Sequence, residues 1–238
     1  MGRERGITVT NNDTGTVKKS GHGHTVFAIV VLALIAALIL TAIFVPLGIY
    51  RSRGEVMISH GTVTVRRDLY VYWLSAYKYS YLTTQSRVDP AASDTPAYWN
   101  AEAEPGVTNA EKVRAEADAR IKRIVFAASL FEEEDLSLGE KMQDELDAAC
   151  KRLFQYGIEG EKDFDRAAKP IGFKYKTVRR AVFYETEGES YVRSMTEAQF
   201  EFFCSVAESE VTLEAAAETI DFASLPTDSR LYCSAITP

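Results

Sequence analysis

Histidine and cysteine are scarce in this 238-residue chain, with three of each. His22, His24 and His60 all fall within the first 60 residues. The remainder therefore has no imidazole for a Ser-His-Asp or Cys-His arrangement. Cys150, Cys204 and Cys233 are an odd number and make no disulfide framework, although Cys204 and Cys233 are candidates for a bridge if the domain is exported. No G-x-S-x-G, H-E-x-x-H, Walker or C-x-x-C pattern occurs. The His22/His24 pair has no third ligand and reads as polar tail. The acidic row Glu132 to Asp135 reads as a solvated helix end rather than a cation site. No catalytic residue, metal or cofactor is expected.

An excess of positive charge is also missing. The chain carries a formal −7; residues 1–53 hold six basic and two acidic residues, which leaves 21 against 32, or −11, beyond them. A nucleic-acid partner is disfavoured, because phosphate neutralisation supplies most of that affinity. The sequence shows no polybasic run for anionic lipid either.

A long uncharged run is present. Thr25 to Ile49 reads TVFAIVVLALIAALILTAIFVPLGI, without a polar stripe. A helix of that length reaches roughly 37 Å, more than the ~30 Å hydrocarbon core. It exceeds a signal-peptide apolar region, and LGIYRSRG offers no small-residue cleavage site. The expectation is an uncleaved single-pass anchor in contact with the bilayer from Thr25 to Ile49. Its flanks do not orient it: Arg3, Arg5, Lys18 and Lys19 precede it, and Arg51, Arg53, Arg66 and Arg67 come after it. Residues 1–24 read as a disordered tail.

Beyond the anchor the pattern is mainly helical, with a few short strands. GEVMISHGTVTV alternates around Gly61 and predicts two extended segments. DLYVYWLSAYKYSYL, Asp68 to Leu82, holds six aromatics in fifteen residues. Tyr70, Trp73, Tyr77 and Tyr81 are spaced for one helical face, and Tyr72 and Tyr79 fall on another. Residues 86–107 predict a long loop pinned by Tyr98 and Trp99. TNAE at Thr108 and SLGE at Ser137 read as capping boxes. The second helix is expected to run to Tyr156 and stop at Gly157. A short helix from Glu161 to Lys169 ends before Pro170. FKYKTVRRAVFYE starts another, interrupted at Gly188, and TEAQFEFFCSVA a further one. ETIDFA and RLYCSAI read as short extended segments. The expected division is a helical domain over 54–195 and a C-terminal helix with short strands over 196–238.

Three stretches carry a family resemblance spanning roughly residues 55–222: VTVRRDLYVYWLSAYKYSYL, IKRIVFAASLFEEEDLSLGEKMQDEL and FDRAAKPIGFKYKTVRRAVFYE. Their composition and spacing resemble the chaperone domain of the SurA-like and PrsA-like exported peptidylprolyl isomerases. Active members carry a parvulin domain with histidines in its site, whereas the 43 residues after Met195 contain none. The resemblance therefore implies the chaperone part without the catalytic part, and a domain outside the cytoplasm with the N-terminus inside. It implies clients that are unfolded or secreted proteins. Tyr72, Tyr79, Tyr98 and Trp99 are the candidates for peptide contact. Packing of the second tyrosine stripe under the 86–107 loop is the competing reading. A membrane-tethered adaptor for one partner and a degenerate isomerase are the alternative functions.

Overall fold

The computed structural model describes residues 53–233, together with Val30, Val31, Leu34, Ile35 and Leu38. The chain divides into two units, Met1–Gly48 and Ile49–Pro238. In the first, the five described residues are helical, and Val30, Leu34, Ile35 and Leu38 are exposed. The expected membrane helix otherwise lies outside the described residues. Among the described residues no helix is long and apolar enough to cross a membrane.

The second unit is mainly helical with two small hairpins. Strands β1 (Val56–His60) and β2 (Val63–Arg66) pair antiparallel. Gly61 makes the turn at φ 52, a conformation that costs a side chain energy, and a Cβ there would also strike the Glu133 carboxylate. Helix α1 (Arg67–Gln85) continues from β2 without a break and contains the aromatic stretch.

The expected loop of 86–107 is partly ordered. Helix α2 (Pro96–Trp99) is capped by the Thr95 side chain, and β3 (Glu102–Glu104) pairs with β4 (Val107–Thr108). Helix α3 (Asn109–Glu133) opens on the predicted capping box, with Thr108 and Glu111 bonding reciprocally. The second box does not form. Helix α4 (Glu140–Lys151) has Gly139 at its N-cap and ends before residue 156. Ser137 is exposed, and buried Leu138 sets the entry instead.

Helix α5 (Glu161–Ala168) stops before Pro170 as expected, and α6 (Tyr175–Val192) comes next. Gly188 does not interrupt α6. A Cβ there would sit 3.2 Å from Ala127 Cβ, so the missing side chain lets α6 close on α3, the largest helix–helix contact of the unit. Gly188→Leu is expected to destabilise the fold by about 2 to 3 kcal/mol through overpacking, while Gly188→Ala stays within about 1 kcal/mol. Urea unfolding of both variants checks this.

Helix α7 (Glu197–Glu210) has the Thr196/Gln199 capping box. Beyond α7 the chain wraps around the domain instead of forming the expected extended pair. Leu213 bridges Ile58, Glu214 N–H donates to the Met57 carbonyl, and α8 (Ala215–Glu218) comes after them. Arg114 from α3 then donates to the carbonyls of Ala217 and Ile220. Lys78 from α1 donates to those of Ala223 and Leu225, and a 3₁₀ turn at Ser229–Leu231 closes the segment. Two helix-borne cations thus satisfy carbonyls that have no ladder.

Candidate functional site

The first half of α1 is buried on all sides. Asp68 to Ser75 are all inaccessible or nearly so, because α3, α6 and the C-terminal wrap each cover a face. Tyr72, expected on an outer stripe, is 0 % exposed. Its ring meets Phe173 edge-on at 5.1 Å and Tyr232 at 6.2 Å. Its hydroxyl has no hydrogen-bond partner, and burial raises its pKa well above the usual phenol value. Tyr79 is half-buried against Tyr232 at 5.3 Å. The C-terminal wrap, not the 86–107 segment, covers the second stripe.

Trp99 is also 0 % exposed. Its Nε1–H donates to Asp94 at 2.8 Å, and its ring lies 5.0 Å from the Lys78 ammonium. Tyr98 is half-buried, with its hydroxyl 3.3 Å from that of Tyr81. Neither Tyr72 nor Trp99 offers surface to a ligand, and Tyr98 and Trp99 serve to pin their loop. The cysteines also group differently from expectation. The Cys150 thiol hydrogen-bonds with that of Cys233, which raises the Cys150 pKa above the usual thiol range together with burial. Cys204 instead lies 3.7 Å from the Arg123 guanidinium.

Toward its C-terminal end α1 opens onto a cavity of about 530 Å³. Trp73, Tyr77, Tyr79 and Tyr81 form one wall; Ile121 and Ile124 of α3 face them, with Tyr232 on the wrap. Trp73 is buried, whereas Tyr77, Tyr79 and Tyr81 are half-buried, so their rings border accessible space. Tyr77 is held by its hydroxyl, which donates to Glu116 at 3.2 Å.

Glu185 of α6 lies at the cavity floor, where Trp73 Nε1–H donates to it at 2.5 Å. Burial pushes its pKa up to about 8, against the opposing pull of the Trp73 bond and the Arg120 charge. The floor is therefore mostly a neutral carboxylic acid at neutral pH. A second cavity of about 270 Å³ lies on its other side, bounded by Val192, Phe200 and Phe203, and shares Arg120, Ile124 and Glu185 with the first. Phe200 and Phe202 of α7 are exposed nearby in sequence.

The cavity presents aromatic rings and two isoleucines, with the Arg120 guanidinium and the buried Glu185 carboxyl as its ionisable groups. Among the described residues no group of three or more His, Cys, Asp or Glu could hold a metal ion. Of the four sequence candidates only Tyr79 lines the cavity. Glu185 and Arg120 had no sequence signal, since a charged residue in a helix ordinarily faces water. Compared with protein-family models, curated proteins and solved structures, the chain matches none.

Proposed function

We propose that this chain is a membrane-anchored, chaperone-like protein that binds unfolded or extended segments of secreted proteins, without catalysis of its own. Its N-terminus lies in the cytoplasm and its helical domain outside. The observation that carries the reading is the tyrosine-walled cavity beside α1. Its volume is in the range of ligand pockets, and its exposed lining is mostly apolar, with Arg120 and Glu185 as the charged-type groups. Tyrosine suits such a wall, because a broad ring accepts many apolar side chains while the hydroxyl stays hydrated. The uncharged run from Thr25 to Ile49 supports the anchor. Tyr72, Tyr98 and Trp99 hold the wall from behind, and Tyr79 contacts the client.

A membrane-tethered adaptor for one defined partner is the second reading. The confined floor at Glu185 favours it, since a single buried acid can select a single side chain.

The test is suppression of aggregation of several unrelated unfolded clients, without ATP, by the full chain in nanodiscs. Wild type is expected to suppress it. Tyr77→Ala combined with Tyr79→Ala is expected to weaken client binding roughly tenfold, about 1.4 kcal/mol. Suppression that survives this pair unchanged contradicts the site; no suppression by a folded wild type, with one stoichiometric partner recovered, establishes the adaptor.

A further inference from the structure

A cluster of positive charge stands at the start of α6, where Lys174, Lys176, Arg179 and Arg180 fall within seven residues, and folding adds Arg53 to it. A third cavity, about 510 Å³, is lined by Arg53, Asp68, Lys174, Lys176, Thr177, Arg179, Arg180 and Phe183. Five of these eight are cations and one is an acid, although residues 54–238 carry a net −11. The chain therefore has a local basic patch on an acidic domain.

Two of the cations are already engaged. Arg179 forms a forked pair with Asp147 at 2.6 and 3.0 Å. Arg180 donates to Asp68 Oδ2 at 2.8 Å, as does the Thr177 hydroxyl. Both partners are partly unsatisfied, however: Arg180 Nε and Asp68 Oδ1 are buried without a hydrogen bond. Arg53, Lys174 and Lys176 are exposed and make no ion pair among the described residues. Lys174 is the N-cap of α6, whose first N–H, on Tyr175, donates to the Asp165 carboxylate at 2.8 Å, so the free positive charge here is that of Arg53, Lys174 and Lys176.

Position along the chain supplies the source of the anion. Arg53 lies four residues beyond Ile49, the end of the apolar run. Four residues reach at most roughly 14 Å, less than twice the Debye length of about 8 Å at physiological salt. An anion-binding cavity tethered that closely to a bilayer meets headgroups before it meets a soluble ligand.

We propose that this cavity binds the phosphate of an anionic lipid headgroup, with Arg53, Lys174 and Lys176 as the attracting charges. Clamped there, α6 would hold the domain in one orientation on the membrane. The proposal rests on the membrane-anchored reading.

The test uses the full chain. Flotation with vesicles of phosphatidylcholine alone examines the anchor, because it needs no anionic lipid. The chain is then placed in nanodiscs of phosphatidylcholine with or without phosphatidylglycerol, and lysines are labelled with an amine-reactive reagent and read by mass spectrometry. Lys141, 92 % exposed and outside the cavity, is the internal reference. Phosphatidylglycerol is expected to slow labelling of Lys174 and Lys176 about fivefold relative to Lys141, and 0.5 M salt to restore it, as roughly 1 kcal/mol per charge near the surface implies. Arg53→Gln, at an exposed position, is expected to lose part of the protection. Equal labelling in both nanodiscs overturns the proposal. Protection by inorganic phosphate in the phosphatidylcholine discs, with none from phosphatidylglycerol, overturns the headgroup in favour of a free anion. Failure of flotation contradicts the anchor, not the cavity.

Discussion

Lys78→Met is expected to destabilise the domain by about 3 to 5 kcal/mol and to free the C-terminal wrap. Lys78 is 1 % exposed and spends all three ammonium protons: on the carbonyls of Ala223 and Leu225 at 2.9 and 2.8 Å, and on Asp94 at 2.7 Å. Burial alone would raise the Asp94 pKa, but hydrogen bonds from Lys78 and Trp99 outweigh it and hold that carboxyl below its usual value. The Trp99 and Phe222 rings lie 5.0 and 5.9 Å from the ammonium and strengthen the site. Methionine fills the volume but leaves two backbone acceptors without their donor, each at the full desolvation cost, and removes the partner of the solvent-accessible Asp94 carboxylate. The urea midpoint measures the loss. Limited trypsin digestion measures the release, because Arg230 is exposed and lies within the wrap. A midpoint shift with unchanged cleavage at Arg230 would show that Lys78 stabilises the core without tying down the wrap.

The second large effect is a pH dependence removed by Glu185→Gln. The Glu185 pKa rises from an ordinary 4.5 to about 8 in the folded protein, mainly through burial. A raised carboxyl pKa means that the folded state holds the proton more tightly than the unfolded chain. The associated stability is complete below about pH 4.5 and is lost as the pH rises through 8. The loss is on the order of 3 to 5 kcal/mol across that window. Glutamine keeps an oxygen to accept the Trp73 N–H and cannot ionise, so the variant should lose the larger part of the dependence between pH 5 and 8.5. A smaller dependence in the same direction remains from Glu187, whose half-buried carboxyl is pushed up to about 7 by desolvation and by Glu132. Urea midpoints of wild type and variant at pH 5 and 8.5 decide it, and parallel losses in both would exclude Glu185 as the cause.

Local signals in the sequence carried most of the helices. The Thr108/Glu111 and Thr196/Gln199 caps and the apolar spacing after them are readable because every partner lies within a few turns. Gly188 misled because a glycine reads as a break, whereas its function here is contact with Ala127, 61 positions earlier. Tyr72 misled for a similar reason. Helical periodicity separates one face from another, but Asp68 to Ser75 have no outer face once Phe173 and Tyr232 arrive from far along the chain. The cavity was the least legible feature. Its floor joins Trp73 to Glu185 across 112 positions, and its wrap is held by Lys78 across 145 and 147. Only the tertiary fold reveals that these two charged residues are buried.

The central claim is that the cavity beside α1 receives unfolded polypeptide. A photo-cross-linking amino acid placed at Thr84, exposed on the cavity rim, tests it most directly, with the same group at Tyr156, 81 % exposed on the α4–α5 connection, as control. Illumination of the full chain in nanodiscs with several unrelated unfolded proteins is expected to give adducts from position 84 and few from 156. Equal yields from the two positions, or no adducts from either while the domain remains folded, would contradict the account.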